Sequence, residues 1–214
     1  MPAVARGLGG VAPINIKGWY QLKIILASGS PRRKQLMELA GIPCEVLVTN
    51  VDETIKGPPD KQVRDLALRK AEAAKEMTGG ESTIIIAADT LVYVDKKVLN
   101  KPESRMEAFS MLRTLSGRKH TVYTGVAIIA EDNCANVHAH TFFDATDVYF
   151  RQLSDDDILA YIDTGEPFDK AGAYGVQERG AVLVDRVEGD FYTVVGLPIA
   201  KVWGVLKSMG IKIW

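Results

Sequence analysis

The sequence predicts an α/β protein with mixed α+β character, in which helices flank a twisted, mixed β-sheet. Two short apolar runs, at 24–27 and 83–88, are typical of strands that are buried on both faces of a sheet. Segments with helical spacing of apolar residues follow the first run and precede the second, whereas hairpin patterns dominate later. This mixture, in a chain of 214 residues, favours two closely joined lobes around a central cleft.

The chain is expected to divide into an N-terminal extension, 1–22, and a single domain, 23–214. The glycine pair at 9–10 and Pro13 interrupt any hydrophobic core of a signal peptide, and the extension carries no interpretable motif. We expect it to be poorly ordered, or to be an artefact of cloning or of start-site assignment.

The first apolar strand runs directly into Ser28-Gly29-Ser30-Pro31-Arg32-Arg33. Ser30 suits the N-cap and Pro31 the first turn of a helix that ends at Gly41. Free backbone N–H groups and the positive end of the helix would meet Arg32 and Arg33 there, which predicts a polyphosphate cradle. The spacing is not that of a Walker A loop. Two solvated arginines on a surface helix remain an alternative interpretation of these residues.

The later elements follow from periodicity and from turn residues. We predict a helix over 61–77, a strand over 83–88, a hairpin over 91–99 that turns at Asp95-Lys96, a helix over 104–115, strands over 121–130 and 139–150, a helix from Ser154 to about Asp163, a second hairpin that pairs 180–187 with 190–195, and a terminal helix that begins at Pro198.

Asp89 is the best candidate for a group that activates water. It closes the second buried strand, where open α/β sheets place their ligands, and partial burial beside phosphates would improve it as a general base. It can equally be a Mg²⁺ ligand that leaves the metal to polarise the water, or it can cap a turn with Thr90.

A small-residue segment, Asp169–Gln177, is a candidate for recognition of a nucleobase. Its glycines would allow the backbone to approach a flat base, and the Gln177 amide can both donate and accept hydrogen bonds, as a pyrimidine edge requires. The alternative is an ordinary tight loop with a solvated glutamine.

Composition excludes several other classes of protein. The net charge of −1 argues against a broad nucleic-acid surface, and no apolar run is long enough to span a bilayer. Cys44 and Cys134 are expected to be reduced thiols of a cytoplasmic protein. His120, His138 and His140 lack zinc spacing and are expected at exposed strand ends. A G-x-S-x-G elbow is also absent, which argues against an acyl-transfer hydrolase.

The run at 28–33 resembles the opening motif of the Maf family, whose members are nucleoside triphosphate pyrophosphatases. Further segments resemble the family's motifs in the same order: Ala87-Ala88-Asp89-Thr90, Asn100-Lys101-Pro102, Leu115-Ser116-Gly117, Tyr123-Thr124-Gly125, Asp169–Gln177 and Val194-Val195-Gly196-Leu197-Pro198. The resemblance extends from about Lys23 to the C-terminus, and it implies two lobes around a cleft, often assembled as a homodimer.

The resemblance also implies roles for individual residues. It marks Asp89 as the catalytic proton acceptor and Glu53 as a second acidic position. The two carboxylates would hold a divalent metal cation, Mg²⁺ or Mn²⁺, because carboxylates without a compensating cation would repel the triphosphate. Asp52 and Glu53 can alternatively be loop charges in water. Substrate phosphates would be bound by Ser28, Arg32, Arg33, Lys70 and Lys101. The role of the two lysines is assigned mainly from the resemblance.

Three positions, Arg32, Thr90 and Gln177, resemble the branch of the family that acts on dTTP and UTP. Asn100 and Glu178-Arg179 depart from the family's usual residues beside this site.

We therefore predict a cytoplasmic, metal-dependent pyrophosphatase that converts dTTP or UTP to the monophosphate, with modified pyrimidine nucleotides as a further candidate class of substrate. The partner is a nucleoside triphosphate, with neither nucleic acid nor membrane expected. Two alternatives stay open: a nucleotide-binding regulator of cell division, and the same reaction on 7-methyl-GTP.

Overall fold

The computed structural model describes residues 23–79, 83–131 and 137–211; the extension 1–22 and Cys134 lie outside them. The strands are β1 (Lys23–Ala27), β2 (Glu45–Val46), β3 (Thr83–Val94), β4 (Lys97–Leu99), β5 (Lys119–Glu131), β6 (Val137–Phe150) and β7 (Val184–Glu188). The α-helices are α1 (Pro31–Leu39), α2 (Pro59–Met77), α3 (Arg105–Leu115), α4 (Asp155–Asp163), α5 (Phe191–Val195) and α6 (Ile199–Ser208). Three short 3₁₀ segments lie at Glu166–Asp169, Ala171–Ala173 and Glu178–Leu183.

Within the described residues, seven strands form one sheet in the order β2-β1-β3-β5-β6-β7, with β4 paired to β3. β1 is parallel to both β2 and β3, and the remaining pairs are antiparallel. The prediction of a mixed sheet flanked by helices is therefore confirmed. Among the helices of the described ranges, none combines the length and apolar character that a bilayer crossing requires.

The sheet divides along β3, and this division creates the cleft. β5 pairs with one edge of β3 along most of its length. On the other edge, β1 pairs with β3 as far as Ala87, and β4 pairs with it from Val92 onward. Residues 88–91 of β3 therefore face a gap between two partner strands.

Three hydrophobic clusters fill the two lobes. In the first lobe, alternate residues of β1 and β3 point to opposite faces: Ile24 and Leu26 pack with α1 and α6, whereas Ile25 and Ala27 pack with α2. Burial on both faces explains why this strand is a continuous apolar run. In the second lobe, the far ends of β3, β5 and β6 pack against α3 and α4.

The predicted end of the second buried strand is wrong. β3 continues through Asp89 and Thr90 to Val94, because these two residues keep their pairing with Gly125 and Thr124 of β5. The polar residues thus mark where β3 loses its partner on the β1 edge, and not where the strand ends. The following hairpin is confirmed, and Asp95 and Lys96 form its turn with positive φ.

The predicted second hairpin, over 180–195, is also wrong. Residues 180–183 belong to a 3₁₀ segment, β7 pairs with β6, and 191–195 form α5. Phe191-Tyr192-Thr193-Val194-Val195 has the aromatic and β-branched composition of a strand, but the Asp190 carboxylate accepts a hydrogen bond from the Tyr192 N–H (2.9 Å) and caps a helix. The other predicted helices and long strands are confirmed within a few residues of their ends.

His120 also departs from its prediction, because it is buried in the second lobe and not exposed at a strand end. Its Nε2 lies 2.7 Å from the Tyr174 hydroxyl, and its ring packs edge-on against Phe150. Burial lowers the pKa of His120 to about 4, while the Asp147 charge opposes this effect. The histidine is therefore a neutral core residue.

Candidate active site

The turn after β1 and the middle of β3 line the same cleft. Their proximity follows from the parallel register, which pairs Ala27 with Ala87 and so places the next few residues of both strands side by side. The cleft has a volume of about 630 Å³ and is open to solvent. Its lining includes every site residue predicted from the sequence: Ser28, Arg32, Arg33, Glu53, Lys70, Asp89, Thr90, Lys101 and Gln177.

Arg33 connects three segments at the floor of the cleft. Its Nε donates to the Gly196 carbonyl (2.8 Å), and its two terminal nitrogens donate to Ser28 Oγ and Thr90 Oγ1 (3.0 Å each). Burial lowers the pKa of the Arg33 guanidinium, and the Asp89 carboxylate opposes this shift. A guanidinium has five N–H donors, so two remain for a ligand after these three bonds. Arg33 is thus a structural centre of the site as well as a cation.

Arg32 faces the opposite wall of the cleft. Its Nη1 donates to Asp169 Oδ2 (2.9 Å), and the other Asp169 oxygen accepts from Lys170 Nζ (2.7 Å). Partial burial alone would raise the pKa of Asp169, but the hydrogen bonds from Lys170 and Arg32 hold it below its ordinary value. The sequence alone predicts no role for Asp169 or Lys170, although Asp169 opens the small-residue segment Asp169–Gln177.

Lys70 lies between the two acidic residues of the predicted site. Its Nζ is 2.9 Å from Asp89 Oδ1 and 2.8 Å from Glu53 Oε1. The side chains of Lys70 and Asp89 are largely buried, whereas Glu53 is 64% exposed. The hydrogen bond from Lys70 is the main cause of a lowered pKa at Glu53, and the charges of Lys101 and Arg33 add to it.

A close backbone contact places Lys70 beside Asp89. Gly125 pairs with Asp89 in the sheet, and a Cβ atom at Gly125 would lie 2.3 Å from the carbonyl carbon and oxygen of Val63. Only glycine therefore allows α2 to lie this close to β5. Lys70 is two turns after Val63, so it projects from the same face of α2 toward Asp89.

Gln177 follows a segment that is held by main-chain and side-chain hydrogen bonds. The Gly172 N–H donates to the Asn100 carbonyl (3.1 Å), and Gly172 has φ +69°, where a Cβ atom would lie 2.9 Å from Val92 Cγ2. Beyond the glutamine, the Glu166 carboxylate accepts from the N–H groups of Arg179 and Gly180 (3.1 Å each). Gln177 itself is half-buried at the cleft wall.

The donors available to a metal are two carboxylates with an ammonium group between them. Among the side chains that the structure describes, no group of three or more His, Cys, Asp or Glu is arranged to hold a metal ion. Glu53 and Asp89 nonetheless match the manner in which Mg²⁺ is bound at phosphoryl-transfer sites, where one or two carboxylates act together with substrate phosphates and waters.

Known proteins resemble this chain over most of its length. The sequence model of the family described as Maf-like protein matches residues 23–209. A dTTP/UTP pyrophosphatase of Bacillus anthracis is 47% identical over 89% of this chain and 97% of its own length. A dTTP/UTP pyrophosphatase of Bacillus cereus is 48% identical over 92% of this chain and 95% of its own.

A solved structure supports the fold independently of close sequence similarity. The HAM1 protein from Coxiella burnetii has a TM-score of 0.51 with 16% identity, over 87% of this chain and 99% of that chain. The family match spans the cleft and both lobes, and the two relatives are nearly half identical to this chain over almost their whole length. The chain therefore belongs to the Maf-like protein family.

Proposed function

We propose that this chain hydrolyses dTTP and UTP to the nucleoside monophosphate and pyrophosphate. The observation that carries the proposal is that the Asp89 carboxylate shares one cleft with the arginine-bearing start of α1. Such a cleft can hold a triphosphate at one end and activate water at the other. The similarity to proteins named dTTP/UTP pyrophosphatase supports the same substrates.

Binding of the triphosphate depends on basic groups from both lobes. The backbone N–H groups at the start of α1, with Arg32 and the two remaining N–H groups of Arg33, would bind phosphate oxygens from one wall. The exposed Lys101 would add a mobile positive charge from the other wall. Arg32 would exchange its hydrogen bond to Asp169 for one to a phosphate oxygen, or it would keep both hydrogen bonds.

Asp89 would act as the general base. Lys70 is bonded to Asp89 Oδ1, so Oδ2 is the oxygen that would accept a proton from the attacking water. The water oxygen attacks the α-phosphorus, the bond between that phosphorus and the bridging oxygen breaks, and the bridging oxygen leaves with pyrophosphate. Lys70 would keep the carboxylate oriented during this step.

Glu53 and Oδ1 of Asp89 would hold a divalent metal cation, Mg²⁺ or Mn²⁺, together with the phosphates, so that Oδ2 of Asp89 stays free to accept the proton. When bound, the cation would neutralise the phosphate charge and so stabilise the transition state. Lys70 already contacts both carboxylates and would compensate their charge before the substrate arrives.

Thr90, Gln177 and Arg32 would select the base and sugar. The half-buried Gln177 amide would pair with the edge of thymine or uracil, whose adjacent donors and acceptors match those of an amide. A cytoplasmic location and a homodimer are proposals that rest on the family resemblance.

Replacement of Asp89 tests this function. We expect the Asp89→Asn variant to release pyrophosphate from dTTP at least about a thousandfold more slowly than the wild type, because the amide cannot accept the proton. Asp185→Asn is a matched control, since Asp185 is exposed on β7. Near-normal pyrophosphate release by the Asp89 variant, with the control unchanged, would remove Asp89 from its role.

A further inference from the structure

Two paired threonines lie directly behind the cleft. Thr90 of β3 is opposite Thr124 of β5 in the sheet, and their hydroxyl oxygens are 2.9 Å apart. Thr90 borders the cleft, whereas Thr124 is completely buried. Thr124 therefore cannot touch a nucleotide, and any effect that it has on the site must pass through Thr90.

The direction of the hydrogen bond between the two threonines is determined by a third residue. The Thr124 hydroxyl lies 2.7 Å from the Thr193 carbonyl, which can only accept a hydrogen bond. A hydroxyl has one proton, so the Thr124 proton is committed to Thr193. Thr90 must then donate its own proton to Thr124, and it turns its lone pairs toward the cleft.

This direction suits Arg33. The Arg33 guanidinium donates to Thr90 Oγ1 at 3.0 Å, and it can do so only where the oxygen presents a lone pair. A Thr90 hydroxyl free to rotate could point its proton at the guanidinium, which would repel the cation. The commitment of the Thr90 proton to Thr124 prevents this arrangement.

The far end of the chain of hydrogen bonds is also fixed. The Thr193 hydroxyl donates to Asp144 Oδ2 (2.7 Å), and Lys201 Nζ lies 2.6 Å from the other oxygen of Asp144. Thr193 is completely buried. These bonds anchor Thr193, and so the carbonyl that accepts the hydrogen bond of Thr124 has a defined position.

We infer that Thr124 is a positioning residue of this site. Its hydroxyl oxygen accepts the hydrogen bond of Thr90, so the Thr90 oxygen is left to accept a hydrogen bond from Arg33. Toward a nucleotide in the cleft, Thr90 can therefore act only as a hydrogen-bond acceptor. The inference rests on the proposed pyrophosphatase function for its kinetic consequence. Its structural consequence, an ordered Arg33 guanidinium, does not depend on any reaction.

The test compares three full-length variants with the wild type. Thr124→Val keeps the shape of the side chain but removes the hydroxyl, and Thr124→Ser keeps the hydroxyl. Thr146→Val is a matched control, because Thr146 is 1% exposed and makes a similar hydrogen bond. Its hydroxyl donates to the carbonyl of Asp190 (3.0 Å), the residue that caps the helix containing Thr193, and it has no contact with Thr90 among the described hydrogen bonds. Urea unfolding checks that all variants fold and that the two valine variants lose comparable stability.

In steady-state assays with dTTP and Mg²⁺, we expect Thr124→Val to raise KM about tenfold with a smaller change in kcat, since Arg33 contributes to binding before the reaction. Thr124→Ser should restore KM to within about twofold of the wild type, and Thr146→Val should leave it unchanged. Equal KM values for the two valine variants would overturn the inference.

A second measurement separates this inference from the proposed function. The ¹⁵N NMR signal of the Arg33 Nε–H group, assigned with Arg33→Lys, should be sharp in the wild type, in Thr124→Ser and in Thr146→Val. It should be broadened or shifted in Thr124→Val. If the wild type releases no pyrophosphate, the proposed function fails while this signal still decides the role of Thr124; an unchanged signal in Thr124→Val would refute that role.

Discussion

At the scale of single residues, Lys70 has the most consequential position in the cleft. Its ammonium group touches the carboxylates of both Glu53 and Asp89, and its side chain is only 14% exposed. Two carboxylates this close to a bound triphosphate would otherwise add repulsion to the binding of an anion. Lys70 thus offsets the negative charge of the site and also orients the proposed base.

The first prediction concerns the charge at Glu53. Replacement of Lys70 by methionine removes the hydrogen bond that chiefly lowers the pKa of Glu53, so this pKa should rise toward its ordinary value of 4.5. A ¹³C NMR titration of the Glu53 carboxyl group measures the change directly. The same variant should lose about a hundredfold in kcat/KM for dTTP, because a preorganised charge at the reacting centre is lost.

Lys61→Met is the control for this prediction, since Lys61 is an exposed residue of the same helix. It should change neither the titration of Glu53 nor the rate. A Glu53 pKa that is equal in the wild type and in Lys70→Met would show that the contact between Lys70 and Glu53 does not exist in solution.

At the scale of secondary structure elements, the contact of α2 with β5 determines where Lys70 lies. The helix approaches the sheet so closely at Gly125 that no larger residue fits without displacement of backbone. The atoms that a Cβ would meet belong to the main chain of Val63, which cannot rotate away as a side chain can. A change at Gly125 should therefore move α2 and with it Lys70.

The second prediction follows from this contact. We expect Gly125→Ala to lower the free energy of unfolding by about 3 kcal/mol, as overpacking of a core typically does, and to reduce activity through the displaced Lys70. Urea unfolding measures the first effect and pyrophosphate release the second. Gly204→Ala is the contrasting control: a Cβ at Gly204 meets nothing within 4 Å, and alanine in a helix should stabilise by about 0.5–1 kcal/mol. Equal stability changes for the two variants would contradict the packing argument.

Local sequence predicts most of these elements but not all of them. Periodicity and capping residues predict α2, α3 and α4, because these signals lie within the elements themselves. The segment Phe191–Val195 has strand-like residues, yet it forms a helix because Asp190 caps it and Thr193 packs behind the cleft. Its conformation depends on tertiary contacts, which local propensity does not contain.

The same division applies to the site. Motifs identify the residues of the cleft, because each motif is a short stretch of sequence. The contacts of Arg32 with Asp169 and of Arg33 with Gly196 join residues more than a hundred positions apart, so the motifs alone do not pair them. Thr124 belongs to a recognised motif, but its function becomes visible only through its hydrogen-bond partners.

At the scale of the whole molecule, the two lobes meet along β3 and β5, and each lobe has its own core. In the second lobe, the buried His120 and Tyr174 connect β5 to the segment that leads to Gln177. The His120 ring is neutral in the folded protein, because burial lowers its pKa to about 4. In the unfolded chain the ordinary value is 6.5, so unfolding at acid pH is accompanied by proton uptake.

The third prediction is the resulting pH dependence of stability. Because the folded-state pKa is below the unfolded value, the contribution of His120 is complete above pH 6.5, decreases toward pH 4 and is constant below it. Between pH 7 and 4.5, the free energy of unfolding of the wild type should fall by about 2 kcal/mol more than that of His120→Phe. Urea unfolding at the two pH values measures this difference. An equal decrease in the free energy of unfolding for the wild type and for His120→Phe would show that His120 is protonated in the folded state.

The central claim is that this cleft positions water against the α-phosphorus of a pyrimidine nucleoside triphosphate. Hydrolysis of dTTP in ¹⁸O-labelled water, in the presence of Mg²⁺ and with products analysed by mass spectrometry, tests it most directly. The account predicts one labelled oxygen in dTMP and none in the pyrophosphate. Label in the pyrophosphate, release of inorganic phosphate as the first product, or no hydrolysis of either dTTP or UTP would contradict it.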